Sequence, residues 1–197
     1  MLREVFVKFN VKFNKFIKVM CFMPRLFVCV WIPEEMKQAI LDFQKKLSKL
    51  PIEAKFVERE NLHLTLTFLG ERTGIEDIKK SLEKLKGFGE FPIFLSGLKI
   101  IPSLEYIRVI GVNVKDDGTF TKLIKNTVKL VGGEYYESSK MTLCRVKSIK
   151  DKQKVVKFLE ENKDVSFGKI DVKKVDLVES KLTPKGPLYS SLFEVYL

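Results

Sequence analysis

The chain has 197 residues, of which 45% are hydrophobic and 31% charged, a composition typical of a globular protein with a sizeable core. No apolar run approaches the roughly 20 residues of a membrane-spanning helix, and three scattered cysteines with a single histidine argue against a disulfide framework and a transition-metal centre. The net charge of +11 favours a polyanionic partner. Lysine-rich surfaces also occur, however, in thermophilic proteins that have no nucleic-acid role.

Residues 1–22 form a basic, aromatic N-terminal extension with almost no acidic side chains. Their apolar positions fit one face of a helix and also the alternation of a strand, so the sequence leaves their conformation open. One interpretation is a segment that contacts RNA or a membrane surface. The other, which we prefer, is a non-essential extension with Met23 as an alternative start, because regular patterning begins immediately after it.

The first half of the remaining chain predicts strand, helix, strand, helix and strand. A short apolar run from Arg25 suits a buried strand, and Pro33 opens an amphipathic helix that continues to Leu50. HLTLTFLG predicts the second strand, Gly74–Leu85 the second helix and FPIFLSGLKII the third strand.

The second half repeats this order without a linker. Strands are predicted at YIRVIGVNV, KMTLCRVKS and IDVKKVDLVES, helices at Thr119–Leu130 and Lys152–Glu160, and LYSSLFEVYL closes the sheet. We therefore expect residues 23–197 to form one bilobal α+β domain with a pseudo-two-fold axis and a cleft between its sheets. The expected boundaries are 25–101 for the first repeat, 105–178 for the second and 187–196 for the closing strand.

Aligning the two halves places HLTL on KMTL, so that His63 corresponds to Lys140 and Thr65 to Thr142. Residues two apart in a strand face the same side, and we expect these four polar side chains to converge across the cleft. An imidazole, an ammonium group and two hydroxyls around one small volume would suit a phosphate.

From about Met23 onward the chain resembles the 2H phosphoesterases, and among them the RNA 2′,3′-cyclic phosphodiesterases, also called LigT-like or 2′-5′ RNA ligase-like proteins. The segments that carry the resemblance are RLFVCVWIP, FVERENLHLTLTFLGE, YIRVIGV, KMTLCRVK and ESKLTPKGPLY. It implies the bilobal LigT-like α+β fold, with two pseudo-symmetric antiparallel sheets, outer helices and a central cleft. It also implies hydrolysis of a terminal 2′,3′-cyclic phosphate to a 2′-phosphomonoester, without metal or cofactor.

The resemblance assigns a role to each candidate residue. His63 would be the general acid on the departing 3′ oxygen, and the second-motif histidine, replaced here by Lys140, would be the base that activates water. Thr65 and Thr142 would hydrogen-bond the phosphate oxygens, and Arg145 would neutralise their charge. Fixed hydroxyls and a cation can stabilise the charge of a pentacoordinate transition state.

Lys140 opens two alternatives, because lysine has a reference pKa of about 10.4. As a base it would have to lose roughly three pKa units, on the order of 4 kcal/mol. We prefer a charged Lys140 that grips the phosphate. The protein is then either an attenuated phosphodiesterase or a non-catalytic RNA-end binding protein, and 2′-5′ ligation would use the same cleft.

The expected partner is RNA with a 2′,3′-cyclic phosphate end, tRNA fragments included. We expect a cytoplasmic monomer with no membrane contact.

Overall fold

The computed structural model describes residues 23–134, 140–184 and 186–197, and the backbone of two short paired strands, β1 (Val5–Phe6) and β2 (Lys18–Val19). Our expectations for the other residues of the extension lie outside this part of the chain. The helices are α1 Glu34–Ser48, α2 Ile75–Leu82, α3 Thr119–Val131 and α4 Lys152–Glu161, with 3₁₀ turns at Arg59–Asn61 and Glu83–Leu85. The longer strands are β3 Arg25–Trp31, β4 Ile52–Phe56, β5 His63–Glu71, β6 Phe91–Pro102, β7 Ile107–Lys115, β8 Lys140–Ile149, β9 Ser166–Val172, β10 Lys174–Leu182 and β11 Pro187–Tyr196.

These longer strands form one antiparallel sheet in the order β11-β10-β3-β5-β8-β7-β6-β9, with β4 pairing on the β5 side of β8. Strands β5 and β8 share only the pair Leu64–Met141. The two expected sheets are therefore the halves of a continuous sheet that meet at this pair, and α+β is the observed fold class.

The sheet order is symmetric about the β5–β8 junction. Strand β3 corresponds to β7, β10 to β6 and β11 to β9. The third strand of each repeat lies in the half that contains the other repeat's central strand, because β6 pairs with β7 and β10 with β3. Helices cross over too, since α1 packs against β4, β8 and β9, and α3 against β5. The chain thus passes repeatedly between the halves and ties them into one unit.

Helix α1 shows how the sequence directs these contacts. Its apolar residues recur at helical spacing and are buried against the sheet. Acidic residues occupy its first turn and basic residues its last turn, where they complement the helix dipole. The buried side chains of α1 are Met36, Ile40, Phe43, Gln44 and Leu47. Within the described residues, no helix has both the length and the apolarity of a membrane span.

Two segments differ from the prediction. IDVKKVDLVES is not one strand but the end of β9 and the start of β10, which are separated at Lys173. The break is required because β9 pairs with β6 in one half and β10 with β3 in the other. Strand β4 was not predicted, since its five residues, IEAKF, carry two charges and lack a strong apolar pattern.

Candidate active site

The two central strands have the same pattern of buried and exposed residues from their first residue onward. Each carries a β-bulge, at which one residue is extra relative to the neighbouring strand. The extra residue is Leu66 in β5 opposite β3 and Leu143 in β8 opposite β7. A bulge shifts the alternation of side chains by one position. It therefore brings residues three apart to the same face of the strand.

This shared irregularity explains how the motifs reach the cleft. From β5, the side chains of His63, Thr65 and Phe68 line it, and from β8 those of Lys140, Thr142 and Arg145 do so. In a regular strand the third member of each set would face away from the first two. The intervening Leu64, Leu66, Met141 and Leu143 are buried in the core.

His63 is held by two hydrogen bonds. Its Nδ1 lies 2.7 Å from the backbone oxygen of Asn61, and its Nε2 lies 3.0 Å from Thr65 Oγ1. Because a carbonyl oxygen can only accept, Nδ1 carries the hydrogen and donates it. In the neutral ring Nε2 is then an acceptor for the Thr65 hydroxyl. Nε2 is consequently the atom through which His63 can exchange a proton in the cleft.

Three aromatic rings pack near the imidazole of His63. Phe27, Tyr189 and Trp31 have ring centroids 5.1, 5.5 and 5.9 Å from that of His63. Phe27 and Trp31 come from β3, and Tyr189 from β11. These rings remove water from the imidazole and restrict its rotation, which fixes the direction of Nε2.

The terminal motif contributes directly to this arrangement. Asn61, whose backbone oxygen orients His63, donates a hydrogen bond from Nδ2 to the backbone oxygen of Pro187 at 3.1 Å. Two residues later, Tyr189 enters the cleft. The C-terminal segment that carries part of the resemblance therefore supports the imidazole in two ways: Pro187 holds Asn61, and Tyr189 packs beside the ring.

Burial and positive charge shape the protonation of the site. Desolvation lowers the pKa of His63, the hydrogen bond to Asn61 opposes this shift, and Arg145 lowers the pKa further. The pKa of Lys140 is lowered first by partial burial and then by Arg145 and Lys99. Burial raises the pKa of Tyr189, although Arg145 acts in the opposite direction. Arg145 thus influences all three groups.

Gly111 allows β7 to lie close to the backbone of Met141, the residue after Lys140. It lies in β7 opposite Thr142, and a Cβ at this glycine would be 2.6 Å from Met141 O and 3.7 Å from Lys140 Cδ. Strand β8 therefore passes β7 too closely here for a side chain. A side chain at position 111 would therefore displace the backbone of Met141, next to Lys140.

The cleft has a volume of about 540 Å³. It contains all five residues that the sequence singled out, namely His63, Thr65, Lys140, Thr142 and Arg145. Sequence reasoning missed Asn61, Phe68, Lys99 and the rings around the imidazole. The internal repeat could have revealed Phe68, because it occupies the position in β5 that Arg145 occupies in β8.

Comparison with known proteins agrees with this geometry. Residues 30–111 match the model of the LigT-like phosphoesterase family. A protein of Methanocaldococcus jannaschii named RNA 2′,3′-cyclic phosphodiesterase is 33% identical over 175 residues, which cover 86% of this chain and 99% of the relative. A protein of Methanothermobacter thermautotrophicus with the same name is 31% identical over 178 residues, covering 85% of this chain and 96% of the relative.

A crystal structure from Thermus thermophilus has the same fold. It superposes with a TM-score of 0.69 at 28% identity, and the alignment covers 88% of this chain and 97% of that chain. The fold has two half-sheets with a central cleft, and the relatives match over nearly their whole length. This chain therefore belongs to the LigT-like phosphoesterases of the 2H superfamily, in the family that contains the RNA 2′,3′-cyclic phosphodiesterases.

Proposed function

We propose that this protein hydrolyses terminal 2′,3′-cyclic phosphates on RNA to 2′-phosphomonoesters, at a rate reduced by the lysine in its second motif. The observation that carries this proposal is the convergence of two equivalent bulged strands, with His63 and Thr65 on one and Lys140 and Thr142 on the other, on a single cleft. The relatives matched over most of the chain carry the name of this activity, which supports the choice of substrate.

In the proposed reaction the proton of His63 goes to the leaving group. Nδ1–H stays bonded to Asn61 O, and protonated Nε2 donates to the 3′ oxygen as the P–O3′ bond breaks and a P–O bond to water forms. The hydroxyl of Thr65, released from Nε2, then turns to a phosphate oxygen. Thr142 and Arg145 complete the set of groups that stabilise the equatorial oxygens.

Lys140 supplies charge instead of a base in this scheme. Its ordinary pKa of 10.5 is far above neutrality, and its side chain is only partly buried, so the ammonium form persists despite the lowered pKa. Water then attacks without a general base, and the proton that it loses passes to solvent, from which His63 is protonated again. Loss of a general base typically lowers a rate by about 10² to 10⁴.

The test is an assay on an RNA oligonucleotide ending in a 2′,3′-cyclic phosphate, in the presence of a chelator, with detection of the 2′-phosphate end. We expect slow turnover that His63→Ala abolishes. Lys140→His should raise the rate by about 10² or more, because an imidazole restores a group that can accept a proton near neutral pH. Turnover equal to that of His63→Ala would refute hydrolysis.

A second candidate function is a non-catalytic protein that binds RNA ends, and Lys140 is the observation that favours it. It predicts salt-sensitive binding of the cyclic-phosphate RNA without product. If Lys140→His produces no gain either, the site has decayed beyond the loss of the base. A gain would show that the cleft is competent and lacks only the base. Ligation through a 2′-5′ bond would appear in the same assay as a longer oligonucleotide.

We infer that RNA fragments, those of tRNA included, are the partners and that the protein acts as a cytoplasmic monomer. The net charge of +11 supports an RNA partner, and a cleft built by both halves of one chain supports a monomer. Size-exclusion chromatography with light scattering would measure the oligomeric state, and a dimer would contradict the inference.

A further inference from the structure

The cleft holds more positive charge than the capture of a cyclic phosphodiester requires. Among its described lining residues, Lys55, Lys140 and Arg145 are basic and Glu58 is the one acidic side chain. Lys99 adds a further cation, close enough to Lys140 to lower its pKa. A 2′,3′-cyclic phosphate carries one negative charge. The net positive charge around the cleft is therefore larger than the negative charge of this substrate.

Three of these cations have no acidic partner in the described part of the protein. Among the described residues, Lys99, Lys140 and Arg145 have no carboxylate within ion-pair distance, whereas many lysines elsewhere pair with Asp or Glu. Cations left unpaired in a concave, partly desolvated site repel one another. Their repulsion is relieved when an anion enters, and more so when the anion carries two charges.

Lys140 makes the decisive difference. A histidine at this position would be mostly neutral above its ordinary pKa of about 6.5, whereas a lysine adds a full charge. Lys140 lines the cleft together with Thr142 and Arg145, so this added charge lies where the phosphate would bind.

We propose that this cleft binds the phosphomonoester end of an RNA more tightly than the cyclic phosphate end, so that the protein retains the end that it produces. This inference rests on the proposed function. The physical reason is charge, because a phosphomonoester carries about −1.5 to −2 at pH 7, with a second pKa of about 6. Release of the product, or its transfer to an enzyme that removes 2′-phosphates, would then limit repeated turnover.

The experiment measures the affinity of one oligonucleotide with three different ends. Its ends are a 2′-phosphate, a 2′,3′-cyclic phosphate and free hydroxyls, and binding is followed by fluorescence anisotropy at pH 7.5. The titrations use full-length His63→Ala protein, so that the cyclic end survives. We expect the 2′-phosphate end to bind about tenfold more tightly than the cyclic end, equivalent to ~1.4 kcal/mol.

Two further substitutions in the same background assign this preference to its source. Lys140→Gln should abolish most of it. Lys147→Gln is the matched control, since Lys147 also lies on β8 but is exposed outside the cleft and pairs with Glu53 at 3.1 Å. It should leave the preference unchanged while lowering all three affinities slightly.

The outcomes separate this inference from the proposed function. A cyclic end that binds as tightly as the 2′-phosphate end, or a preference that survives Lys140→Gln, would overturn retention of the product. Hydrolysis by the wild-type protein would stand in either case. If neither phosphorylated end binds better than the hydroxyl end, retention of the product is refuted, and slow hydrolysis by wild type above the His63→Ala level still tests the proposed function separately.

Discussion

Replacing Gln44 with leucine should destabilise the protein and disturb the bulge that aims Arg145. Gln44 lies in α1 and is only 5% exposed. Its amide donates hydrogen bonds to Val57 O at 2.9 Å and to Leu143 O at 2.8 Å. Leu143 is the extra residue of the bulge in β8, so one side chain ties helix α1 to the strand of the second motif.

The magnitude follows from the one acceptor that loses its donor. Leu143 O keeps the hydrogen bond from the backbone N–H of Val57, at 3.0 Å, while Val57 O loses the bond from Gln44. A buried acceptor without a partner costs about 1–3 kcal/mol. For a chain of this size each kcal/mol lowers Tm by about 2–4 °C. We therefore expect a fall in Tm of roughly 2–12 °C.

Thermal unfolding followed by circular dichroism measures this change, with Gln38→Leu as the matched control. Gln38 lies on the exposed face of the same helix, where its amide donates to Asp42 at 3.0 Å. Surface substitutions of this kind usually change stability by less than about 0.5 kcal/mol. Equal melting temperatures for the two variants would refute the argument that the buried amide holds the bulge.

Three other predictions follow from the described contacts. The acid form of His63 is required, and burial lowers its pKa below the ordinary histidine value. At pH values above this lowered pKa, kcat/KM should therefore fall by about tenfold per pH unit. A rate that rises with pH in this range would instead make His63 the base. Gly111→Ala should cost about 1–3 kcal/mol in urea unfolding, since its Cβ would lie 2.6 Å from Met141 O, and unchanged stability would contradict this close approach. Asp176 is 1% exposed and burial raises its pKa, so its contribution to stability is full below the unfolded pKa and is lost as pH rises through the folded pKa. Asp176→Asn should therefore raise Tm at pH 7 but not in acid, and a gap of equal size at both pH values would be inconsistent with a raised pKa.

The strands and helices that carry the motifs could be read from the sequence because each buries one strongly apolar face. The alternation in HLTL and KMTL predicted which side chains would share the cleft, and all five named residues line it. The place of Arg145 was expected from the family resemblance alone, since alternation puts a residue three positions after Thr142 on the wrong face. The bulge at Leu143 turns Arg145 to the cleft side and so explains why the resemblance was right where simple alternation was not.

Other features depended on tertiary contacts that no local pattern contains. The division of IDVKKVDLVES between two strands follows from pairing with β6 and β3, which are far away in sequence. The hydrogen bond that selects the tautomer of His63 comes from a backbone oxygen, and every residue type has one. Trp31 and Tyr189 look like ordinary strand residues until the sheet brings them beside the imidazole.

The matching bulges separate the direction of a side chain from its chemistry. The backbone decides that positions 63, 65 and 68 in one strand, and 140, 142 and 145 in the other, are aimed inward. Phe68 and Arg145 occupy equivalent places, yet one is aromatic and the other cationic. The side chains at these positions can therefore differ while the backbone of each half stays the same. This makes the fold well suited to redesign for other anionic ligands by substitution at these six positions.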